Sequence, residues 1–408
     1  MIKIIYNNYF YTLLFLCLLF ILNIGLEYNK YKGFVKEEVY KDSFEVLNIY
    51  DKKDYLVLKL SNNSFTYFTS IDKTQKIGKL QYINSTINTK NIDFLSYMKG
   101  FYTKTINIEN INSTKNIKSI IFENINQSHQ TQELKELFNA LFLAIPISSS
   151  LRDICTNYSI SHLIAISGFH LAVLSLIIYS IFYYPYSYFQ SNYFPYRNKR
   201  FDISIITITI IAIYFIFIGL VPSLFRSFLM LVLAIYLLRY DIKLLSYKTL
   251  LLTFLIIIAI YPRFLFSISF WFSILGVFYI FLYLQYFKDL PKLFSFFFFN
   301  FWLFFAFNPI VHHYFYTTSY EQLLSPILTI VFTLFYPFEL IMHLFSYGDL
   351  LDGLLRGFLN YKIDIYEIKT PFIFLVFYLL FSFFSIFYKL SFYLLNLLLI
   401  LFSLYLYL

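Results

Sequence analysis

Charge is scarce in this chain. Only 13% of its 408 residues are Asp, Glu, Lys or Arg, about half the ~25% of soluble domains. That shortage excludes a soluble globular protein and a disordered one. Cysteine is nearly absent too. Cys17 and Cys155 lie far apart with no CxxC neighbour, which argues against a disulfide scaffold or a cysteine zinc site. The six histidines (His129, His162, His170, His312, His313, His343) fall in no HExxH or HxHxDH pattern, and there is no GxxxxGK[ST] loop. No metal, nucleotide or other cofactor is therefore expected.

What is present is apolar. Hydrophobic residues make up 59% of the chain, with 53 Phe and 40 Tyr. The fold class this predicts is a polytopic α-helical membrane protein. The charges it does have are unevenly placed. Residues 27–136 hold 16 Lys+Arg and 13 Asp+Glu, whereas 137–408 hold 15 and 10. The net +9 is thinly spread, with no dense basic tract for duplex DNA.

The organisation follows. Residues 1–27 read as an N-terminal membrane anchor that is retained, because no small-x-small cleavage site follows the apolar run 9–26. Residues 28–125 read as a small β-rich extracytoplasmic domain. Runs 44–50, 55–60 and 64–70 alternate apolar and polar residues between turn-like DKKD and SNN. Residues 126–160 form a connector, with one amphipathic helix expected over 130–148. From 161 to 408 apolar stretches recur, near 162–183, 203–220, 222–238, 245–260, 265–284, 293–308, 322–345, 371–388 and 390–408. With the anchor they make about ten transmembrane segments. The loops 184–202, 239–248, 285–292 and 346–370 hold eleven Lys or Arg, and the alternate short loops hold Arg263 and Lys389. The positive-inside rule puts the first set in the cytoplasm. The domain 28–160 is then outside and both termini are inside.

Three polar clusters interrupt the apolar background. The first is HLIAISGFH, 162–170. On a continuous helix His162 and His170 stand about 80° apart, so both line one side with Ser167 nearby. Gly168 allows a bend or a close approach. Such groups facing lipid are costly, so they face protein or water. Packing through small residues and hydrogen-bonded His is one reading. A Ser–His catalytic pair is another, although no third group orients the base. The second cluster is GLVPSLFRSFLM, 219–230. Pro222 suits a first helical turn, Ser223 follows it, and Arg226 comes one turn later. Arg226 either snorkels outward or faces a polar cavity. The third is YPRFLFSISFWFSI, 261–274, where Ser269, Ser273 and Gly276 share a helix face. Ser325, Thr329 and Thr333 form a similar stripe, for close packing or a pore lining. Glu339 and His343 fall near the inner end of that helix, at the interface.

In this order the clusters resemble the signatures of the ComEC family of DNA-uptake competence proteins. The first is close to H-L-L-A-I-S-G-L-H. The second is similar to G-x-x-P-S-x-x-R-A-x-x-M, with Ser227 in place of Ala. The third resembles d-P-x-x-l-x-x-G-F-q-L-S-F, with Ser269 for Gly and Trp271 for Gln. The resemblance implies that 28–125 is an oligonucleotide-binding-type barrel. It implies an inner-membrane channel, not an enzyme, that passes single-stranded DNA into the cytoplasm during natural transformation. His162, Ser167, Gly168, His170, Pro222, Ser223, Arg226, Ser269 and Ser273 would lie on or beside the path. The metallo-β-lactamase-like domain of longer members has no counterpart here, so strand degradation falls to another protein. The partners implied are single-stranded DNA, a cytoplasmic motor or strand-binding protein, a periplasmic DNA receptor, membrane lipid and further copies of the chain. A small-solute or ion transporter and an intramembrane hydrolase on Ser167 are the rival readings.

Overall fold

The computed structural model describes residues 9–62, 64–75, 77–110, 116–219, 221–238 and 246–408. Lys3, Leu220, Arg239 and Lys243 lie outside the described residues, as does the side chain of Ser223.

Helix α1 runs unbroken from Tyr9 to Val35. Its 27 residues reach ~40 Å at ~1.5 Å each, more than a ~30 Å hydrocarbon core needs. The excess emerges as the last turns, where Tyr31 and Phe34 enter the core of the β-rich domain. The Tyr31 hydroxyl donates to the Ile92 carbonyl at 2.9 Å.

That domain is a six-stranded sheet: β1 (Val39–Asp51), β2 (Tyr55–Ser61), β3 (Thr66–Asp72), β4 (Tyr82–Asn88), β5 (Phe101–Tyr102) and β6 (Thr105–Asn110), in spatial order β5-β3-β2-β1-β4-β6. The long β1 pairs with β4 through its first half and with β2 through its second, around an irregularity between Val46 and Asn48. The two sheet edges, β5 and β6, are separated in the chain by only Thr103 and Lys104. The Thr103 N–H donates to the Phe68 carbonyl, and the Thr105 N–H to Thr69 Oγ1. One bent stretch thus pairs with β3 and then with β4, which curls the sheet into a half-barrel. The alternation read from the sequence sends Phe44, Val46, Leu58, Leu60, Tyr67, Ile83 and Ile87 into its core, each burial worth ~1.5–3 kcal/mol. Helix α2 (Phe94–Lys99) closes one end. It stops at Gly100, whose φ of +93° and 3.2 Å clearance from the Thr66 carbonyl suit only glycine.

The connector holds one helix within 130–148, as expected, and further helices on either side of it. It comprises α3 (Ile117–Ser128), α4 (Gln132–Leu143), α5 (Ser149–Asn157) and α6 (Ser161–Ile164). Helix α4 ends because Ala144 turns left-handed at φ 55° and Pro146 follows. Its buried face, with Leu134, Leu137, Phe138 and Leu141, packs with α3 and with residues beyond 330.

The remainder is helical: α7 (Gly168–Tyr193), α8 (Lys199–Ile218), α9 (Pro222–Leu238), α10 (Tyr247–Ile260), α11 (Ile268–Phe287), α12 (Lys292–Tyr314), α13 (Ser325–Leu344), α14 (Asp352–Leu359), α15 (Phe372–Phe384) and α16 (Lys389–Tyr407). Among the described residues seven helices are long and apolar enough to cross a membrane: α1, α7, α8, α11, α12, α13 with its preceding turn, and α16. The apolar parts of α9, α10 and α15 coincide with three of the ten predicted stretches but are shorter than a full span.

The segment 345–371 lies where the charge count does not put it. It was expected on the opposite side from the connector, yet it packs against it. The rings of Tyr158 and Phe358 stack at 4.3 Å, and the Tyr158 hydroxyl donates to the Phe358 carbonyl. Strand β7 (Thr317–Thr318), just before α13, pairs with β8 (Tyr366–Glu367). The Thr370 N–H donates to the His312 carbonyl, and the Tyr366 hydroxyl to the Leu406 carbonyl. Both ends of α13 also touch the connector: Ser325 Oγ donates to the Ser159 carbonyl, and His343 meets His129. Helix α13 therefore lies along the connector, and the chain returns to the end it started from. The C-terminal end of α16 shares that end. These contacts set loop 346–370 and the C-terminal end of α16 beside the connector.

Candidate functional site

The first cluster is not one helix. Helix α6 stops at Ile164, residues 165–167 are extended, and α7 begins at Gly168. The expected 80° relation between His162 and His170 is therefore replaced by two separate settings. Ser167 caps α7, with φ −130° and ψ 179°. Its N–H donates to His170 Nδ1 at 3.2 Å, and its Oγ lies 3.2 Å from the same atom. The imidazole accepts at Nδ1 and so carries its proton on Nε2. That Nε2 is buried and, among the described residues, has no partner at hydrogen-bond geometry. Around it stand Tyr336, edge-on at 4.5 Å, and Phe332 at 5.6 Å, both from α13. Ser167 and His170 do meet, but as a helix cap, and no carboxylate pairs with the ring among the described residues.

His162 sits apart. It is exposed, and its Nε2 lies 3.3 Å from Thr329 Oγ1 on α13. Thr329 and Thr333 also bond the carbonyls four residues back, so most of that stripe is internally satisfied.

The second cluster starts where Gly219 ends α8 at φ +101°. Pro222 opens α9. Arg226, one turn in, does not reach outward. Its residue is 8% exposed. Nε donates to Ser273 Oγ at 2.7 Å and Nη2 to Ser227 Oγ at 3.1 Å. No Asp or Glu forms an ion pair with it among the described residues. Ser273 comes from the third cluster, on α11, whose start is set by the Pro262–Phe266 turn and capped by Ser267. The first cluster completes the locus. A Cβ added to Gly168 would lie 2.6 Å from Ser227 Oγ and 3.4 Å from Arg226 Nη2. Glycine is thus required there by close approach, not by a bend.

Three clusters separated by 30 residues or more therefore converge on one guanidinium. Gly168, Arg226, Ser227 and Ser273 touch directly, and Ser167 and His170 adjoin through Gly168. Ser269 is exposed on α11. The sequence pointed to Ser227 only as a departure from a pattern, and its role as the group facing Gly168 emerges from the packing. The aromatic wall of Phe332 and Tyr336 carried no signal above the general wealth of Phe and Tyr. Glu339 and His343, expected at a membrane interface, are largely enclosed, and Glu339 is fully buried.

The connector and the β-rich domain are tied to this locus. Lys118 of α3 donates from Nζ to the carbonyl of Ile218, immediately before Gly219, at 3.1 Å. Burial pushes this lysine below its ordinary range, and Glu45 of β1 pulls the other way. Glu27 of α1 receives Arg263 Nε and Nη2 beside the third cluster, and Arg263 stacks on Tyr97 of the half-barrel.

Fold and site together define a multi-pass membrane protein with a buried cation, an imidazole and hydroxyls gathered beneath an N-terminal β-rich domain. A family model described as Competence protein matches residues 146–407. The chain belongs to that family, the ComEC family of DNA uptake for transformation. The match includes all three clusters and begins after the half-barrel. No curated protein and no solved structure matches the chain.

Proposed function

We propose that this chain is the inner-membrane channel for single-stranded DNA in natural transformation, with no catalytic step of its own. The observation that carries the reading is the convergence on Arg226: a buried guanidinium held by serines instead of a carboxylate keeps its charge available to phosphate oxygens. The first turn of α9 lies beside it, and its N–H groups add to the attraction. His170, Ser167, Gly168 and Ser273 border the path, His162 and Ser269 lie nearer its surroundings, and Pro222 and Ser223 form its rim. A phosphate charge moving against 100 mV costs ~2.3 kcal/mol. A cytoplasmic motor or strand-binding protein must therefore pull, a periplasmic receptor deliver, and other copies of the chain can complete the pore. Deletion should abolish transformation by chromosomal DNA while growth is unchanged. Loss of growth with normal transformation would favour a solute transporter.

The topology we infer has nine crossings, with α13 packed along the outer side instead of crossing. This reassigns the loop bases to nine inside and four outside, so the orientation stands. The N-terminus is inside and the C-terminus outside. Alkaline phosphatase fused after Asn360 should be active, as should a fusion after Leu408, and a fusion after Lys199 inactive. Inactivity at Asn360 would restore α13 as a tenth span.

The half-barrel serves as an oligonucleotide-binding-type guide in this reading. Between β3 and β6 it has a cleft of about 410 Å³ lined by Tyr55, Ser70, Asp72, Gln75, Thr105 and Asn107. Tyr55 and Tyr102 expose their rings. A base stacked on such a ring contributes ~1–3 kcal/mol. Tyr55→Ala in the full chain should weaken binding of a labelled oligonucleotide at low salt by about tenfold, within that range. Unchanged binding would leave the domain a structural cap.

A further inference from the structure

Away from Arg226, four titratable side chains from three elements form a continuous chain. His129, at the end of α3, places Nδ1 2.8 Å from Asp352 Oδ1 in the first turn of α14. Its Nε2 lies 3.0 Å from Nε2 of His343 in the last turn of α13. His343 Nδ1 lies 2.8 Å from the main-chain carbonyl of Glu339 and 3.3 Å from its carboxylate. The assembly is shielded from water. Phe138 stacks on His129 at 4.3 Å, and Phe142 stands edge-on to His343 at 4.9 Å. Gly348 closes another side, since a Cβ there would fall 2.7 Å from His343 Nε2.

The protons can be counted. A carboxylate and a carbonyl only accept, so each end of the chain needs an N–H on Nδ1. The contact between the two Nε2 atoms takes one more proton, shared between the rings. Three hydrogen bonds hold three protons, one more than two neutral imidazoles carry. A fourth has no place, because it would set N–H against N–H at 3.0 Å in a dry site.

We propose that His129 and His343 form a latch that closes over one shared proton and is opened by a second, so that acid releases the connector from α13 and α14. The groups facing the pair are Asp352 and, through Gln130, Arg356 on α14. Glu339 faces it from α13. On α4 the neighbours are uncharged rings. The proposal does not depend on the transport reading. Its consequence would nonetheless reach the Arg226 locus, because α13 also carries Thr329 against His162, and Phe332 and Tyr336 against His170.

The direction follows from linkage. Burial pushes protonation of His129 below the ordinary imidazole range, with Asp352 opposing and the His343 ring adding to the depression. Uptake of a second proton by the pair, which already shares one, is thus weaker in the closed form than in an open, hydrated one. The closed form is lost as pH falls through the uptake of the second proton, on the acid side of ~6.5, and on the alkaline side as the shared proton leaves.

The test uses the full chain in lipid nanodiscs with ¹⁵N-histidine, titrated from neutral to acid pH. The two rings are identified by His129→Gln and His343→Gln, and amide exchange of residues 352–359 is followed in parallel. We expect the ¹⁵N shifts of the two rings to be coupled, with the last proton taken up below the ordinary range. Over that window, protection of 352–359 should fall about tenfold per pH unit, one proton per opening. In His343→Gln the pH dependence of protection should vanish. Asp352→Asn weakens the hold on the shared proton while keeping the side-chain shape. It should open the latch at higher pH, and it decides the matter if His343→Gln does not fold. Independent titration of the two rings in the ordinary range overturns the proposal, as does an unchanged opening pH in Asp352→Asn. So does a metal ion that survives dialysis and is lost in His343→Gln, since the shared species would then be the metal.

Discussion

Arg226→Gln should lower transformation at least tenfold, with the protein at wild-type abundance, and Arg226→Glu should abolish it. A hydrogen bond to a charged group contributes ~1.5–3 kcal/mol, and tenfold corresponds to ~1.4 kcal/mol. Abundance should hold because the neighbours of Arg226 are hydroxyls. Removing one member of a buried ion pair strands the other charge, but here the guanidinium donates to Ser273 and Ser227. Those hydroxyls rotate to other acceptors when it is gone. The loss therefore falls on whatever the charge attracts, not on the fold. Arg226→Lys keeps the charge but lacks the planar fork that reaches two serines at once, and it should retain partial transport. Transformation frequencies of the three variants, normalised to membrane abundance, make the comparison. Wild-type frequency in Arg226→Gln would remove Arg226 from the path and leave it a packing residue.

What the sequence made legible follows from the range of the forces involved. The period-2 alternation of 55–60 and 64–70 is local, and β2 and β3 form where it puts them. The apolar run 9–26 is local too, although the helix continues to Val35 because Phe34 is buried by strands far along the chain. The importance of Gly168, Arg226 and Ser273 was visible as polar residues in an apolar background, since each must escape lipid. Their mutual contact was not, because no periodicity relates residues 58 or 47 positions apart. The break at 165–167 was invisible for a different reason. Ala165 and Ile166 are compatible with a helix, and the chain is extended there because Ser167 caps α7 and Ile166 is buried among α7 and α8 residues. The latch shows the same limit, for 223 residues separate His129 from Asp352. The contacts of loop 346–370 were equally out of reach of a charge count, because Arg356, Lys362 and Lys369 sit on a segment held by Tyr158, His312 and Leu406.

Gly168→Ala should be the most damaging single methyl group in the bundle, and Ser227→Ala should rescue it. The added Cβ would lie 2.6 Å from Ser227 Oγ, closer than any real contact, so α7 or α9 must move. Overpacking of this kind costs ~1–3 kcal/mol, more than the gain of up to ~1 kcal/mol from replacing helical Gly by Ala. The movement also displaces Arg226 Nη2, which lies 3.4 Å from the same point, so transport should fall further than stability. Ser227→Ala alone should be mild. It removes one acceptor from Arg226 and leaves Ser273 in place. In the double variant the methyl group meets Ser227→Ala at the Cβ position, 3.4 Å away, an ordinary contact. The two changes should therefore be strongly non-additive, the pair performing better than Gly168→Ala by itself. Thermal stability in detergent and transformation frequency, measured for both single variants and the double, form the cycle. Additive losses would mean that α7 and α9 do not meet at Gly168, and the convergence of the first two clusters would fall with it.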